Sequence, residues 1–180
     1  MACISKLANA ITYDCDSGAT GLVSALIINK SDIASFSVDT TGIATVVLKA
    51  GASAYKIDTV KRTLVLSSAL KVNDGAPNAH THTATITITT TAPSGSLFAQ
   101  RNALANGTFV ILARSAGAPG GRVGVYGLYY GLNATGMDMS SHDNAGWATV
   151  TLETPENVIG EDPCNMDSTA YDALYAAAVG

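Results

Sequence analysis

Between His80 and Thr91 the chain alternates with period two. Thr81, Thr83, Thr85, Thr87 and Thr89 fall on one side, and His82, Ala84, Ile86 and Ile88 on the other. Successive side chains of a strand point to opposite faces, so this spacing predicts a long, half-buried β-strand. Its β-branched Thr and Ile suit a pleated surface. From Gly75 to Gln100 there is no Asp, Glu, Lys or Arg. A face of hydroxyls without charge fits a neighbouring subunit or an enclosed surface better than bulk solvent.

The same reading predicts strands over Leu22–Asn29, Ser35–Val38, Ile43–Leu48, Tyr55–Val60, Thr63–Val72, Phe109–Ala113, Val123–Leu132, Thr135–Ser140 and Ala148–Thr154. Turn signals separate them: Lys30-Ser31-Asp32, Asp39-Thr40-Thr41-Gly42, a charged tip at Lys61-Arg62, and Asn73-Asp74-Gly75-Ala76-Pro77. A helix is expected from a Ser94 or Ser96 cap to about Ala105, ended by Asn106-Gly107 in a left-handed turn. A second is expected from Ser168 to about Val179, capped by Asp167 or Ser168. Asp172 suits its first turn, and Tyr171, Leu174, Tyr175 and Ala178 form one apolar stripe. Trp147 is expected to anchor the core. Strand does not alternate with helix, which disfavours a parallel α/β sheet. The fold expected is mainly β: a β-sandwich or flattened barrel with one flanking helix and a short C-terminal helix. It forms a single domain over residues 1–180, with an arm at 1–21 and an acidic, irregular tail from 155.

Composition adds a reason to expect assembly. Only 13% of the 180 residues are charged against 47% hydrophobic, about half the usual charged share. So few charges protect a monomer poorly against association. Residues 1–122 hold all 10 Lys and Arg and 6 acids, a balance of +4; residues 123–180 hold 8 acids and no Lys or Arg, a balance of −8. The division offers complementary patches for head-to-tail contact, or an acidic solvated end. Lys49, Lys56, Lys61, Arg62, Lys71 and Arg122 are the candidates on the basic side, and Glu153, Glu156, Glu161 and Asp162 on the acidic side. The net charge of −4 provides no basic patch for gripping nucleic acid.

Catalytic constellations are not found. Cys3, Cys15 and Cys164 are an odd set without repeated spacing and read as buried thiols, not a disulfide framework. His80 and His82 share a strand face, but no further Cys or His pair completes a metal site, and a polar edge or hydrogen-bonded pair is the better reading. Ser140-Ser141-His142-Asp143 holds triad residue types without a nucleophile elbow. Gly117 to Arg122 lacks the Lys-Ser/Thr ending of a phosphate loop. Glu153, Glu156, Glu161 and Asp162 match no calcium loop. No cofactor, metal or enzymatic activity is expected. Nor is a signal peptide or membrane span, and folding in a cytoplasm is expected.

Several stretches together resemble a known family. They are Met1-Ala2-Cys3-Ile4 leading into Leu22–Ile33, Ala76-Pro77-Asn78-Ala79-His80-Thr81-His82, Gly107–Ala113 after the first helix, Val125–Leu132, and Trp147–Val158. The pattern is similar to the small tail tube proteins of tailed bacteriophages, especially Bacteroidota phages and prophages. The resemblance covers most of the chain. It implies hexameric rings that stack into a hollow tube for genome delivery, related to the tubes of contractile injection systems. The partners implied are further copies of the chain and other tail or virion proteins, with DNA passing without specific binding. The location implied is the virion tail, after assembly in the host bacterial cytoplasm. A capsid decoration or head-fibre protein, the inner tube of a contractile injection system and a secreted adhesin are the rival readings, the last disfavoured by the lack of an expected signal peptide. Thr83, Thr85, Thr87 and Thr89 are expected at an interface or lumen, although a lumen would be expected to carry acids as well. The Tyr171-Leu174-Tyr175 stripe is a candidate source of apolar assembly contact.

Overall fold

The computed structural model describes residues 21–59, 63–88, 95–116, 122–139 and 147–180, with backbone only at 95–98. The expectations placed on the 1–20 part of the arm, Cys3, Cys15, Lys61, Arg62, Thr89, a Ser94 or Ser96 cap, the 117–121 loop and Ser140 to Gly146 lie outside the described residues or side chains. The chain runs β1 (Leu22–Asn29), a 3-10 turn (Lys30–Asp32), β2 (Ile33–Val38), β3 (Ile43–Leu48), β4 (Tyr55–Ile57), β5 (Leu64–Lys71) and β6 (Ala79–Ile88). It continues α1 (Gly95–Asn106), β7 (Thr108–Ser115), β8 (Val123–Tyr126), β9 (Leu132–Met139), β10 (Ala148–Glu153), β11 (Cys164–Met166) and α2 (Ser168–Ala177). The fold is mainly β with two helices, consistent with a β-sandwich or flattened barrel.

The strands join in one 11-stranded sheet that forks at β7. One edge of β7 pairs with β1 along most of its length. The other edge is shared: Ile111 to Arg114 pair with β8, while Thr108 and Phe109 pair with β9. One arm then runs β8-β11-β3-β2 and the other β9-β10-β6-β5. Each arm closes a separate core on one face of the β1–β7 pair. Leu26, Ile28, Val110 and Leu112 pack with Val46, Val125, Met166 and Tyr171 on one side. Ala25, Phe109, Ile111 and Ala113 pack with Ile86, Leu132, Val150 and Leu152 on the other. Covering both faces is what requires near-continuous apolar runs in β1 and β7.

The outcome departs from the sequence reading in specific places. The run from Val123 to Leu132 is not one strand. β8 ends at Tyr126, and the chain turns through Gly127 and Gly131, both in the left-handed region at φ 78° and 77°. Gly107 is not left-handed. It is glycine because a Cβ would lie 2.4 Å from the Phe109 ring and 2.7 Å from the Ala103 carbonyl oxygen. Trp147 is half-buried and belongs to neither core. The tail expected to be irregular contains β11, which pairs antiparallel with β8 and parallel with β3.

α2 is capped as expected, with the Asp167 carboxylate accepting the Thr169 and Ala170 N–H groups. Asp172 lies beyond the first turn and instead pairs with Arg114 at 2.8 Å. The apolar stripe faces its own domain. Tyr171 is fully buried, its hydroxyl donating to Ser24 Oγ at 2.9 Å, and Leu174, Tyr175 and Ala178 pack on the same core. Tyr171 therefore cannot serve as an assembly contact, and Leu174 and Tyr175 are partly spent on the core.

Candidate functional site

The hydroxyl side of β6 lies near the middle of a broad polar face. Directly opposed residues of antiparallel strands share a face. On one side Thr83, Thr85 and Thr87 meet Glu153, Thr151 and Thr149 of β10. On the other, Thr81, Thr83 and Thr85 meet Ala69, Ser67 and Val65 of β5. Beyond β10, Asp138 and Gly136 of β9 oppose Thr149 and Thr151. The face is therefore an array of Thr and Ser with Glu153 and Asp138 along its β9–β10 side. The acids lacking in the β6 sequence are supplied by two other strands. Across-strand Thr pairs stabilise the sheet by about 0.2–1 kcal/mol each, so the array has a structural role whatever it faces.

The sheet's two path ends are β5 and β2. β5 is eight residues long and its only charge is Lys71 at its last position. Val65, Leu70 and the following Val72 are exposed by 50%, 60% and 75%. A long strand at a sheet edge with so little charge lacks the usual protection against pairing with another chain. Exposed apolar side chains also gather at both ends of this arm. Leu70, Val72 and Ile159 lie at the end where β6 begins, and Met137 and Met139 at the end where it finishes.

The most unusual chemistry is internal. The chain crosses from one arm to the other through residues 154–163, between β10 and β11, and this segment is fastened to the start of β6. His82 N–H donates to Thr154 Oγ1 at 2.9 Å, and Thr154 N–H to the His82 carbonyl at 3.0 Å. His80 and Glu161 exchange backbone bonds of 3.1 and 2.9 Å. Gly160 must be glycine here, at φ 103° with a Cβ position 2.7 Å from the His80 carbonyl oxygen. These bonds bring the His82 and Glu161 side chains together inside the protein, Nε2 to Oε1 at 3.6 Å, with 1% and 2% of each side chain exposed.

Glu161 Oε2 accepts the Tyr129 N–H at 2.6 Å, and its carboxylate also accepts from Gly127, so it holds the 127–131 turn. Lys30 donates to the Leu128 carbonyl, lies over the Phe36 ring at 4.4 Å, and its positive charge favours the ionised Glu161 carboxylate. The His82 ring meets Tyr126 edge-on at 5.3 Å. Burial pushes the His82 imidazole down to about 4, with His80 adding to the effect. Burial pushes the Glu161 carboxyl up, against the opposing N–H bonds and Lys30. Cys164, close by, is pushed up to about 12 by burial and then by the charges of Glu161 and Asp162, which makes it an inert thiol.

Of the residues singled out in the sequence, Thr83, Thr85, Thr87 and Glu153 come together on one face. Glu156, Asp162, Lys49, Lys56 and Arg122 are exposed and scattered. Glu161 is buried at 4% exposure and cannot be a projecting stacking charge. Lys71 donates to the Glu156 and Val158 backbone carbonyls at 3.0 and 2.6 Å, so its ammonium is already engaged by the crossing segment of its own chain. Lys30, Thr154 and Glu161 were not associated with the histidines in the sequence. Their only local signal was an acid beside a glycine at Gly160-Glu161. Among the described residues no cluster of His, Cys, Asp or Glu is arranged to hold a metal, and no described helix is long and apolar enough to cross a membrane. Comparison with family models, with curated proteins and with solved structures finds no match.

Proposed function

We propose that the protein is a self-assembling structural subunit of the tail tube type, which carries out no chemistry of its own. The observation that supports this most is the nearly uncharged outer edge of β5, unpaired among the described residues, beside a continuous hydroxyl face. In this reading the β5 edge of one copy meets the β2 edge of the next, the two path ends of the sheet. Such a contact joins two different patches and closes into a ring if the rotation permits. The face of Thr83, Thr85, Thr87, Thr149 and Thr151, with Asp138 and Glu153, then lines the channel. Hydroxyls and a few acids present no cationic site to a passing phosphate backbone, so DNA moves without being gripped. The apolar ends at Leu70, Val72 and Ile159 and at Met137 and Met139 lie at opposite ends of the same arm of the sheet, where rings would stack. Burying them supplies most of the affinity, while exposed charges set register.

Electron microscopy of the purified protein tests this reading. Rings or tubes of uniform diameter are the expected result. Dispersed single copies at every concentration would exclude it, and copies that coat a shell without forming tubes would favour a capsid decoration protein.

A further inference from the structure

The crossing segment joins the two arms of the sheet, and its only buried ionisable contact with β6 is the His82–Glu161 pair. Among the described residues, Glu161 Oε1 and both ring nitrogens of His82 are buried without a hydrogen-bond partner. We propose that His82 and Glu161 form a proton-operated latch that fastens residues 154–163 and the 127–131 turn to β6, and that a second proton on the pair releases them.

The proton count follows from the surroundings. With no added proton, the carboxylate accepts the Tyr129 and Gly127 N–H groups and faces a neutral imidazole. The first proton goes to Glu161, which is the easier group to neutralise in a buried site beside a histidine that resists charging. Its Oε1–H then points at Nε2, so the pair remains neutral and the latch closed. The second proton, also from solvent, goes to Nε2. Both facing atoms are now donors, and a cation is buried with no carboxylate left to balance it. The groups around it offer no relief. Lys30 from the 3-10 turn is positive, and His80 on β6 acts in the same direction. Tyr126 of β8, Tyr129 of the turn and Cys164 of β11 are all pushed upward and stay neutral in acid. Asp162, next along the chain, is exposed. The buried cation reaches water by release of the 154–163 segment, whose contacts at Thr154 and Glu161 are the bonds that break.

Hydrogen exchange of the full chain across acid pH, corrected for intrinsic rates, tests the latch. Peptides covering 154–163 and 127–131 are expected to be fully protected above about pH 6.5, where His82 is neutral whether the latch is closed or open. Protection then falls as pH drops toward about 4, by at most about tenfold per pH unit, the slope for one proton taken up by the open form alone, and levels off below, while β7 remains protected. His82→Gln, which cannot take the second proton, is expected to keep both segments protected. Loss of protection in His82→Gln at the wild-type pH would overturn the proposal, and so would simultaneous loss in β7 of the wild type. If the variant does not fold, NMR of the wild type decides. The His82 ring shift and the loss of the Tyr129 and Glu161 amide signals should share one midpoint. Signals lost while the ring is still neutral would overturn the latch.

Discussion

β7 and β6 are both long strands, yet they are stabilised in opposite ways. Five successive residues of β7, Phe109 to Ala113, are buried because a core lies on each face. In β6 burial alternates, with Ala84 and Ile86 inside and Thr83, Thr85 and Thr87 on the partly open face. The difference shows where each strand's sequence is constrained. β7 is set by packing on two sides, whereas half of β6 is left to whatever its hydroxyl face meets.

Substitutions sharpen that contrast. Leu112→Ala opens a cavity in the double-covered pair and is expected to cost about 3 kcal/mol or more in denaturant unfolding. Thr85→Ala, on the open face, is expected to cost no more than about 1 kcal/mol. Equal losses would show that the two strands are not stabilised differently.

Acid titration probes the inner side of β6. Between pH 6.5 and about 4 the unfolded chain takes a proton at His82 and the native chain does not. The His82 contribution to stability therefore falls as pH falls through that window, by about 3 kcal/mol in all. Glu161, whose carboxyl is pushed upward, has the opposite sign: the native state holds its proton more tightly, so its contribution rises as pH falls. Unfolding of wild type and His82→Gln at several pH values separates the two. The stability advantage of wild type over the variant should shrink on acidification, and a constant difference would show that His82 titrates alike in both states.

A smaller effect is expected where the arms diverge. Gly127→Ala must hold an L-residue at φ 78° with its Cβ 2.7 Å from Leu132 Cγ and 3.0 Å from the Phe109 carbonyl oxygen. A loss of about 1–3 kcal/mol is expected in the same unfolding assay. Smallest of all, Asp172→Asn removes a partly exposed ion pair with Arg114, and a change under about 1 kcal/mol is expected.

Much of this contrast was legible in the sequence. β1 and β3 run over the expected residues, and the two faces of β6 are divided as its period-two spacing predicts. Local pattern sufficed there because each strand's burial is set by its own alternation or by its own apolar run. It failed where a partner distant in sequence decides the outcome. β11 is three residues long and exists because β8 and β3 flank it. The turn at Gly127 to Gly131 interrupts a run of strand-forming residues because β7 changes partner there. Of the proposed assembly face, the threonines were visible, but Asp138, Glu153 and the exposed β5 edge joined them only through strand order. The His82–Glu161 pair was invisible for the same reason, since the nearest acid in sequence, Asp74, is not the one that folding delivers.

Assembly through the β5 edge is the central claim, and sedimentation velocity at micromolar concentration tests it most directly. Ser67 and Ala69 are exposed on that edge, so Ser67→Lys with Ala69→Lys should change stability by no more than about 0.5 kcal/mol each while adding the charge that blocks edge pairing. Wild type is expected to sediment as rings or longer polymers and the double variant as a folded monomer. A wild type that stays monomeric across salt and concentration, or a double variant that assembles as wild type does, would contradict the account.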